Sequence, residues 1–224
     1  MKNDKKIVLF SDLEGTILNE TDGKYDKEAM FNFLTQIDRL QQLTNVGVYI
    51  HLVSPIYRRE MEKIINEIDK DIVRYNRLHK DHADIPMIEC GTFTPEKGVS
   101  EPEFTGDTVM PLKMPPDSKQ FDTSRYGKAH HVKIWCEMYA EKLLMAIYCG
   151  NGQNDLSAIM YIKDKKGFIV CPRNSRTEAK KRADFVSDRP DLIGITDGIA
   201  KINEKIAQRV DPQPENAEQD GQVQ

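Results

Sequence analysis

The chain has 224 residues, 39% of them hydrophobic, which is enough for one sizeable core with room for one small inserted element, so one domain is expected. Its 32 lysines and arginines face 36 aspartates and glutamates, and the last fourteen residues hold four acids and no base. The remainder is balanced, which argues for neither nucleic acid nor an anionic membrane as partner. The basic start MKNDKK leads into an apolar run that breaks at Ser11 and Asp12, short of signal-peptide length. No segment approaches the roughly 20 apolar residues of a membrane span, so a soluble, cytoplasmic protein is expected. Cys90, Cys136, Cys149 and Cys171 are unclustered, and three adjoin or lie in apolar runs. They are expected as reduced thiols in the core rather than as a disulfide or zinc set.

In chain order, the β-branched run Lys6 to Ser11 predicts a first buried strand. Met30, Leu34 and Ile37 carry helical spacing, and Val46 to Val53 predicts a second strand. Met61, Ile64, Ile65, Ile68, Ile72 and Tyr75 recur every three or four residues in a charged stretch, the pattern of a helix covering a sheet. Pro86 to Cys90 is a weaker strand candidate. The segment from Gly91 to Gly127, with five prolines and little periodicity, breaks the rhythm as a reduced cap or a long loop. Val132, Trp135, Cys136 and Tyr139 predict another helix, and Leu144 to Cys149 another strand. A helical run from Leu156 to Ile162 and a strand from Gly167 to Cys171 follow. Strands alternating with helices imply an α/β fold with a doubly wound, mainly parallel sheet. The Pro-, Gln- and Glu-rich residues after Val210 are expected to be a disordered tail.

Two polar clusters follow predicted strands. The first strand runs into Asp12-Leu13-Glu14-Gly15-Thr16. If it continues through Glu14, both carboxylates point to one side at the carboxyl end of a parallel strand, where open α/β sheets bind ligands. Such a pair can divide phosphoryl transfer, one group attacking phosphorus and the other moving protons. Gly15 and Thr16 suit a tight exit with backbone N–H groups facing a phosphate. By itself Asp-x-Glu-Gly is equally the composition of an acidic turn. The second cluster, Gly150-Asn151-Gly152-Gln153-Asn154-Asp155, offers hard oxygen ligands for magnesium in Asn151 and Asp155. It is also the composition of a turn capping a helix.

FSDLEGTIL, the strand-ending VYIHLVS, the lysine of YGKAHHV and CGNGQNDLSAI resemble, in order, the four motifs of the haloacid dehalogenase superfamily. Their spacing is closest to its Cof-type sugar-phosphatase branch, and IVCPRNSRTEAKKRADFVS resembles that branch's last strand, asparagine-containing loop and helix. The resemblance implies a Rossmann-like core and a Mg²⁺-dependent phosphomonoesterase acting through an aspartyl-phosphate. Asp12 would be the nucleophile, Glu14 the general acid and base, Ser54 a hydrogen-bond donor to the phosphoryl group, and Lys128 the neutralising cation. Asp12, Glu14 (through its backbone carbonyl), Asn151 and Asp155 would surround the metal. Gly15, Thr16, Ser54, Arg173 and Asn174 would meet the substrate. Lys133 competes with Lys128 but lies inside a predicted amphipathic helix, and His130 and His131 read as structural.

Two positions depart from the pattern. Glu14 stands where the family usually has aspartate, which adds a methylene but keeps the proton chemistry, as in the enolase-phosphatase branch. Asn151 stands where the family usually has aspartate in GDG, and its neutral amide removes one negative charge from the metal site. The expected substrate is a small phosphorylated metabolite such as a sugar phosphate. A full cap domain does not fit between Pro55 and Gly127, so a short lid, a neighbouring subunit of a homo-oligomer or a bulky substrate would close the site. The competing reading is a catalytically weakened domain that binds a phosphorylated ligand or a protein.

Overall fold

The computed structural model describes residues 4–54, 58–94, 103–105 and 128–210. Among the described residues seven strands form one sheet: β1 (Lys6–Ser11), β2 (Gly47–Ser54), β3 (Glu89–Thr94), β4 (Glu103–Thr105), β5 (Leu143–Cys149), β6 (Phe168–Cys171) and β7 (Phe185–Val186). Their order across the sheet is β4-β3-β2-β1-β5-β6-β7. All neighbours run parallel except β3 and β4, which are antiparallel at one edge. The chain therefore winds outward from β1 to β4, returns to β1's other side at β5, and winds outward again. The crevice where the winding reverses lies at the carboxyl ends of β1 and β5, the position at which open α/β sheets bind ligands.

Helices cover both faces. Ile7 and Leu9 of β1 point into one core layer with α1 (Lys27–Thr44), α2 (Arg58–Leu78) and α6 (Asp191–Val210). Val8 and Phe10 point into the other, with α3 (Lys128–Met138), α4 (Leu156–Asp164) and the four-residue α5 (Thr177–Lys180). This division follows from the two-residue period of a strand, and burial on both faces explains why β1, β2 and β5 read as almost unbroken apolar runs. The start of α1 is set by Asp26, whose side chain accepts from the amides of Glu28 (2.8 Å) and Ala29 (3.2 Å). Its end is set by Asn45, which takes the left-handed conformation at φ 52°.

The four main strands fall within a residue of their expected bounds, but two places differ. The weak candidate at Pro86–Cys90 starts pairing only at Glu89, opposite His51, and continues to Thr94. Residues just before it are held elsewhere: Asn76 bonds both the carbonyl (2.9 Å) and the amide (3.1 Å) of Ile85, and Asp69 accepts from the amide of Ile88 at 2.9 Å. Those bonds satisfy the backbone against α2, so the ladder cannot begin earlier. The proline-rich excursion accordingly contributes Gly91–Thr94 and Glu103–Thr105 to the sheet. Its remainder, including the expected cap, lies outside the described residues, as does the tail after Val210.

The second difference concerns the helix expected in TEAKKRADFVS, which is a single turn. Asp184 accepts from the Ile169 amide at 2.9 Å and donates its own amide to the Ile169 carbonyl at 2.9 Å, drawing the chain into β7. The long closing helix is α6, and its apolar face, Leu192, Ile195, Ile199 and Ile202, is buried in the first core layer. Among the described residues no helix is long and apolar enough to cross a membrane. Cys136, Cys149 and Cys171 are buried free thiols.

Gly198 lets α6 approach β6. A Cβ there would stand 2.2 Å from Val170 Cγ1 and 3.2 Å from its Cβ, so a rotamer change alone does not clear it. Overpacking of this kind costs about 1–3 kcal/mol, against which alanine returns about 1 kcal/mol of helix propensity. Gly198→Ala is therefore expected to lose about 1 kcal/mol net, seen as a lower urea midpoint. An unchanged or higher midpoint would mean that α6 slides without penalty.

Candidate active site

β1 ends at Ser11, and the Asp12 amide donates to the Cys149 carbonyl at 2.9 Å, tying the mouths of β1 and β5 together. The strand does not continue through Glu14. The backbone instead folds around the Leu13 carbonyl, which accepts from Ile17 (2.9 Å) and Leu18 (2.7 Å) while the Leu13 side chain is fully buried. Asp12 consequently points into the protein, 4% exposed, whereas Glu14 is exposed on the rim. The described residues offer the Glu14 carboxylate no hydrogen-bond partner.

Gly15 makes the turn possible in two ways. Its φ of +65° belongs to the left-handed region, and a Cβ there would stand 2.1 Å from Asn151 Nδ2 and 3.1 Å from Asn174 Nδ2. The loop after β5 thus closes directly onto the loop after β1, with Asn151 against the Gly15 backbone.

Lys128, the first residue of α3, is buried between two carboxylates. Its Nζ lies 2.6 Å from Asp12 Oδ1 and 2.6 Å from Asp155 Oδ1. Asp155 sits in the turn that leads into α4 and is fully buried. Its Oδ1 also accepts from the Tyr148 hydroxyl at 2.7 Å, and its Oδ2 accepts from the amides of Asn151 (3.0 Å) and Gly152 (2.7 Å). A carboxylate has about four acceptor positions, so Asp155 is saturated. Its two oxygens hold Lys128, the Tyr148 hydroxyl and the Asn151–Gly152 backbone.

Ser54, at the end of β2, and Thr16 are buried, and neither hydroxyl has a partner among the described residues. Unpartnered buried hydroxyls at the mouth of a sheet are places where a ligand's oxygens would complete the bonding.

The other residues singled out by sequence divide. Asn174 Nδ2 donates to the Gly15 carbonyl (2.9 Å), Glu20 (3.1 Å) and Asp191 (2.9 Å), while its Oδ1 accepts from the Asp191 amide (3.1 Å). It braces the Gly15 turn against Glu20 and Asp191. The Arg173 side chain is exposed, and its amide donates to the Arg189 carbonyl at 2.8 Å. His131 is buried beside Trp135, and Lys133 is exposed and pairs with Glu137. Residues that spacing did not mark are Tyr148, Ser175, whose hydroxyl donates to the Gly150 carbonyl at 3.3 Å, and Asp191. Tyr148 is hidden by its place in an apolar strand, and Asp191 by its distance along the chain.

Two carboxylates against one ammonium leave the pocket with a net negative charge. Burial, then the charge of Asp155, push the Asp12 carboxyl up from its ordinary 3.8 to about 7, against the pull of Lys128. Burial works against the Lys128 ammonium, but Asp12 and Asp155 outweigh it and raise its pKa. Burial and the same two carboxylates hold the Tyr148 phenol well above its ordinary range, so it donates. Among the described residues no group of three or more His, Cys, Asp or Glu side chains is placed to cage a metal. The buried Asp12 carboxylate is a hard oxygen donor of the kind that suits Mg²⁺, which is bound through one or two carboxylates and keeps several of its waters.

No family model matches the chain, and no curated protein matches it. Among solved structures it is similar to a Thermoplasma acidophilum protein at 13% identity, over 91% of this chain and 99% of that one, with a TM-score of 0.51. It is also similar to a haloacid dehalogenase-like hydrolase from Bacteroides thetaiotaomicron, at 15% identity over 88% and 99% of the two chains, TM-score 0.49. A third likeness is to the cobalt-bound deoxy-D-mannose-octulosonate 8-phosphate phosphatase from Haemophilus influenzae, at 11% identity over 93% and 95%, TM-score 0.47. At these identities the likeness is one of fold alone, an α/β sheet with β1 at its centre.

The raised Asp12 pKa has a consequence for the metal-free protein. Folding makes this carboxyl bind its proton more tightly than the unfolded chain does, so the associated penalty is absent below about pH 4 and fully present above about pH 7. Stability should fall as pH rises through that window, by at most about 4 kcal/mol from this group. In the presence of a chelator, the melting temperature of Asp12→Asn should gain on wild type steadily from pH 4 to 7. A difference independent of pH would place the titration on another residue.

Proposed function

We propose that this chain is a magnesium-dependent phosphomonoester hydrolase of the haloacid dehalogenase-like superfamily. The observation that supports it most is the buried Asp12 carboxylate at the mouth of the central strand, held by a lysine, with buried unpartnered hydroxyls on Thr16 of the same loop and on Ser54 at the end of the neighbouring strand. The four ordered motifs add to it, and the placement in the sugar-phosphatase branch rests on their spacing alone. Because Asp12 and Lys128 are recessed, only a group that projects from its parent molecule reaches them. A phosphoryl group on a small metabolite meets that requirement, and a neighbouring subunit is one means of covering it.

In this reading an Asp12 carboxylate oxygen attacks phosphorus and the bond to the leaving oxygen breaks, giving an aspartyl-phosphate. Glu14, free on the rim, gives its proton to the leaving alcohol. It then takes one from water as that water attacks phosphorus, which releases inorganic phosphate and restores Asp12. Lys128 balances charge on Asp12 and on the phosphoryl oxygens, while Ser54 and Thr16 donate to those oxygens. Mg²⁺ would rest on Asp12, the Glu14 carbonyl and Asn151, and would supply charge neutralisation to the phosphoryl group. Asp155 and Asn174 brace the two loops, a division of labour different from the one the motifs alone suggest.

Turnover is the direct test. Asp12→Asn should fold and release no phosphate from a panel of phosphoesters that wild type hydrolyses with Mg²⁺. Glu14→Gln should slow release by roughly 10²–10⁴-fold. Full activity in the first variant would remove Asp12 as nucleophile. No release by wild type from any phosphoester, with metal present, would leave a phosphate-binding domain instead.

Asn151 provides a second test. Asp155 is saturated and cannot make up the missing charge without abandoning Lys128 or the loop amides. Asn151→Asp should therefore lower the Mg²⁺ concentration for half-maximal activity by about tenfold at fixed pH and ionic strength. An unchanged requirement would place residue 151 away from the ion.

A further inference from the structure

Asp155 must hold three things at once: the Lys128 ammonium and the backbone amides of Asn151 and Gly152. An ammonium on one oxygen and two amides on the other leave one acceptor position on Oδ1. That position is occupied by the Tyr148 hydroxyl, 2.7 Å away. Tyr148 is fully buried in the core layer shared with α3 and α4, so its hydroxyl has no route to bulk water and depends on a protein acceptor. Gly150 independently points to a built contact. A Cβ on it would stand 2.8 Å from Asp155 Cγ and 2.8 Å from Tyr148 Cε1, so the phenol and the carboxylate come together because position 150 has no side chain.

We propose that Tyr148 is a positioning residue of the phosphoryl-transfer site: its hydroxyl completes the bonding of Asp155 and keeps that carboxylate turned inward, which holds Lys128 against Asp12 and fixes the Asn151–Gly152 backbone. This rests on the hydrolase reading. Without the hydroxyl, Asp155 has an unfilled acceptor position and freedom to rotate toward the Asn151 loop. Lys128 then loses a fixed partner on its side away from Asp12, and the amides of residues 151 and 152 lose theirs. The Ser54 and Thr16 hydroxyls, which would meet the phosphoryl oxygens, are untouched, so the effect falls mainly on the step that needs Lys128 and Asp12 in register.

The test uses Tyr148→Phe, which keeps the ring and removes only the hydroxyl, beside Ile169→Val. Ile169 is the cross-strand neighbour of Tyr148 in the same layer, and its shortening loosens packing without removing a donor. In metal-free, isotope-labelled protein, amide exchange at Asn151 and Gly152 should be about tenfold faster in Tyr148→Phe and unchanged in Ile169→Val. With Mg²⁺ and a phosphoester, kcat of Tyr148→Phe should fall about tenfold with KM within about twofold. Unchanged exchange at both amides would overturn the proposal, as would the same acceleration in Ile169→Val. A wild type without turnover would defeat the hydrolase reading alone, since the exchange measurement needs neither metal nor substrate.

Discussion

One buried ammonium between two buried carboxylates organises this molecule. Lys128 opens α3, Asp12 follows β1, and Asp155 stands at the entry to α4, so a single cation draws together three elements distant in sequence. Withdrawing the ammonium would leave two carboxylates uncompensated in the interior, at a cost of about 3–5 kcal/mol. Even intact, the cluster is not neutral. Burial first, and then the charge of Asp155, raise the Asp12 pKa, and the surplus negative charge favours a cation in the crevice.

The sheet supplies the geometry that this cluster needs. Parallel strands present all their carboxyl ends on one edge, and the reversal of winding between β1 and β5 leaves a gap into which Asp12 and the Asn151 loop both open. The loops themselves are held by local bonds. Leu13 anchors one by burial and by its carbonyl, Asp155 anchors the other through two amides, and Asn174 fastens the Gly15 carbonyl to Asp191 across the crevice. Asp191 holds a left-handed φ of 49° at the start of α6, so this brace reaches back to the last helix of the fold.

Side chains that bond to backbone decide several boundaries here. Asn76 and Asp69 delay the start of β3, and Asp184 converts a charged stretch into the edge strand β7. Each is a short polar residue whose partner lies 9 to 19 positions away, so neither hydrophobic period nor local propensity signals it.

Much of the architecture was legible because burial on two faces leaves a mark in composition. The runs at Lys6, Val46, Leu144 and Gly167 could be read as strands, and the spacing of Met30, Leu34 and Ile37 as a helix, because those periods are set by the backbone itself. The candidate site was legible as two polar clusters following apolar runs, and Asp12, Glu14, Ser54, Lys128, Asn151 and Asp155 could all be named. What each does was not. That Asp155 faces inward, that Asn174 is spent on the Gly15 carbonyl, and that Tyr148 is a donor rather than one more core aromatic depend on which atoms meet across the crevice. Those meetings join residues up to 159 positions apart, and a hydrogen bond is made or lost within half an ångström, so only the tertiary structure decides them.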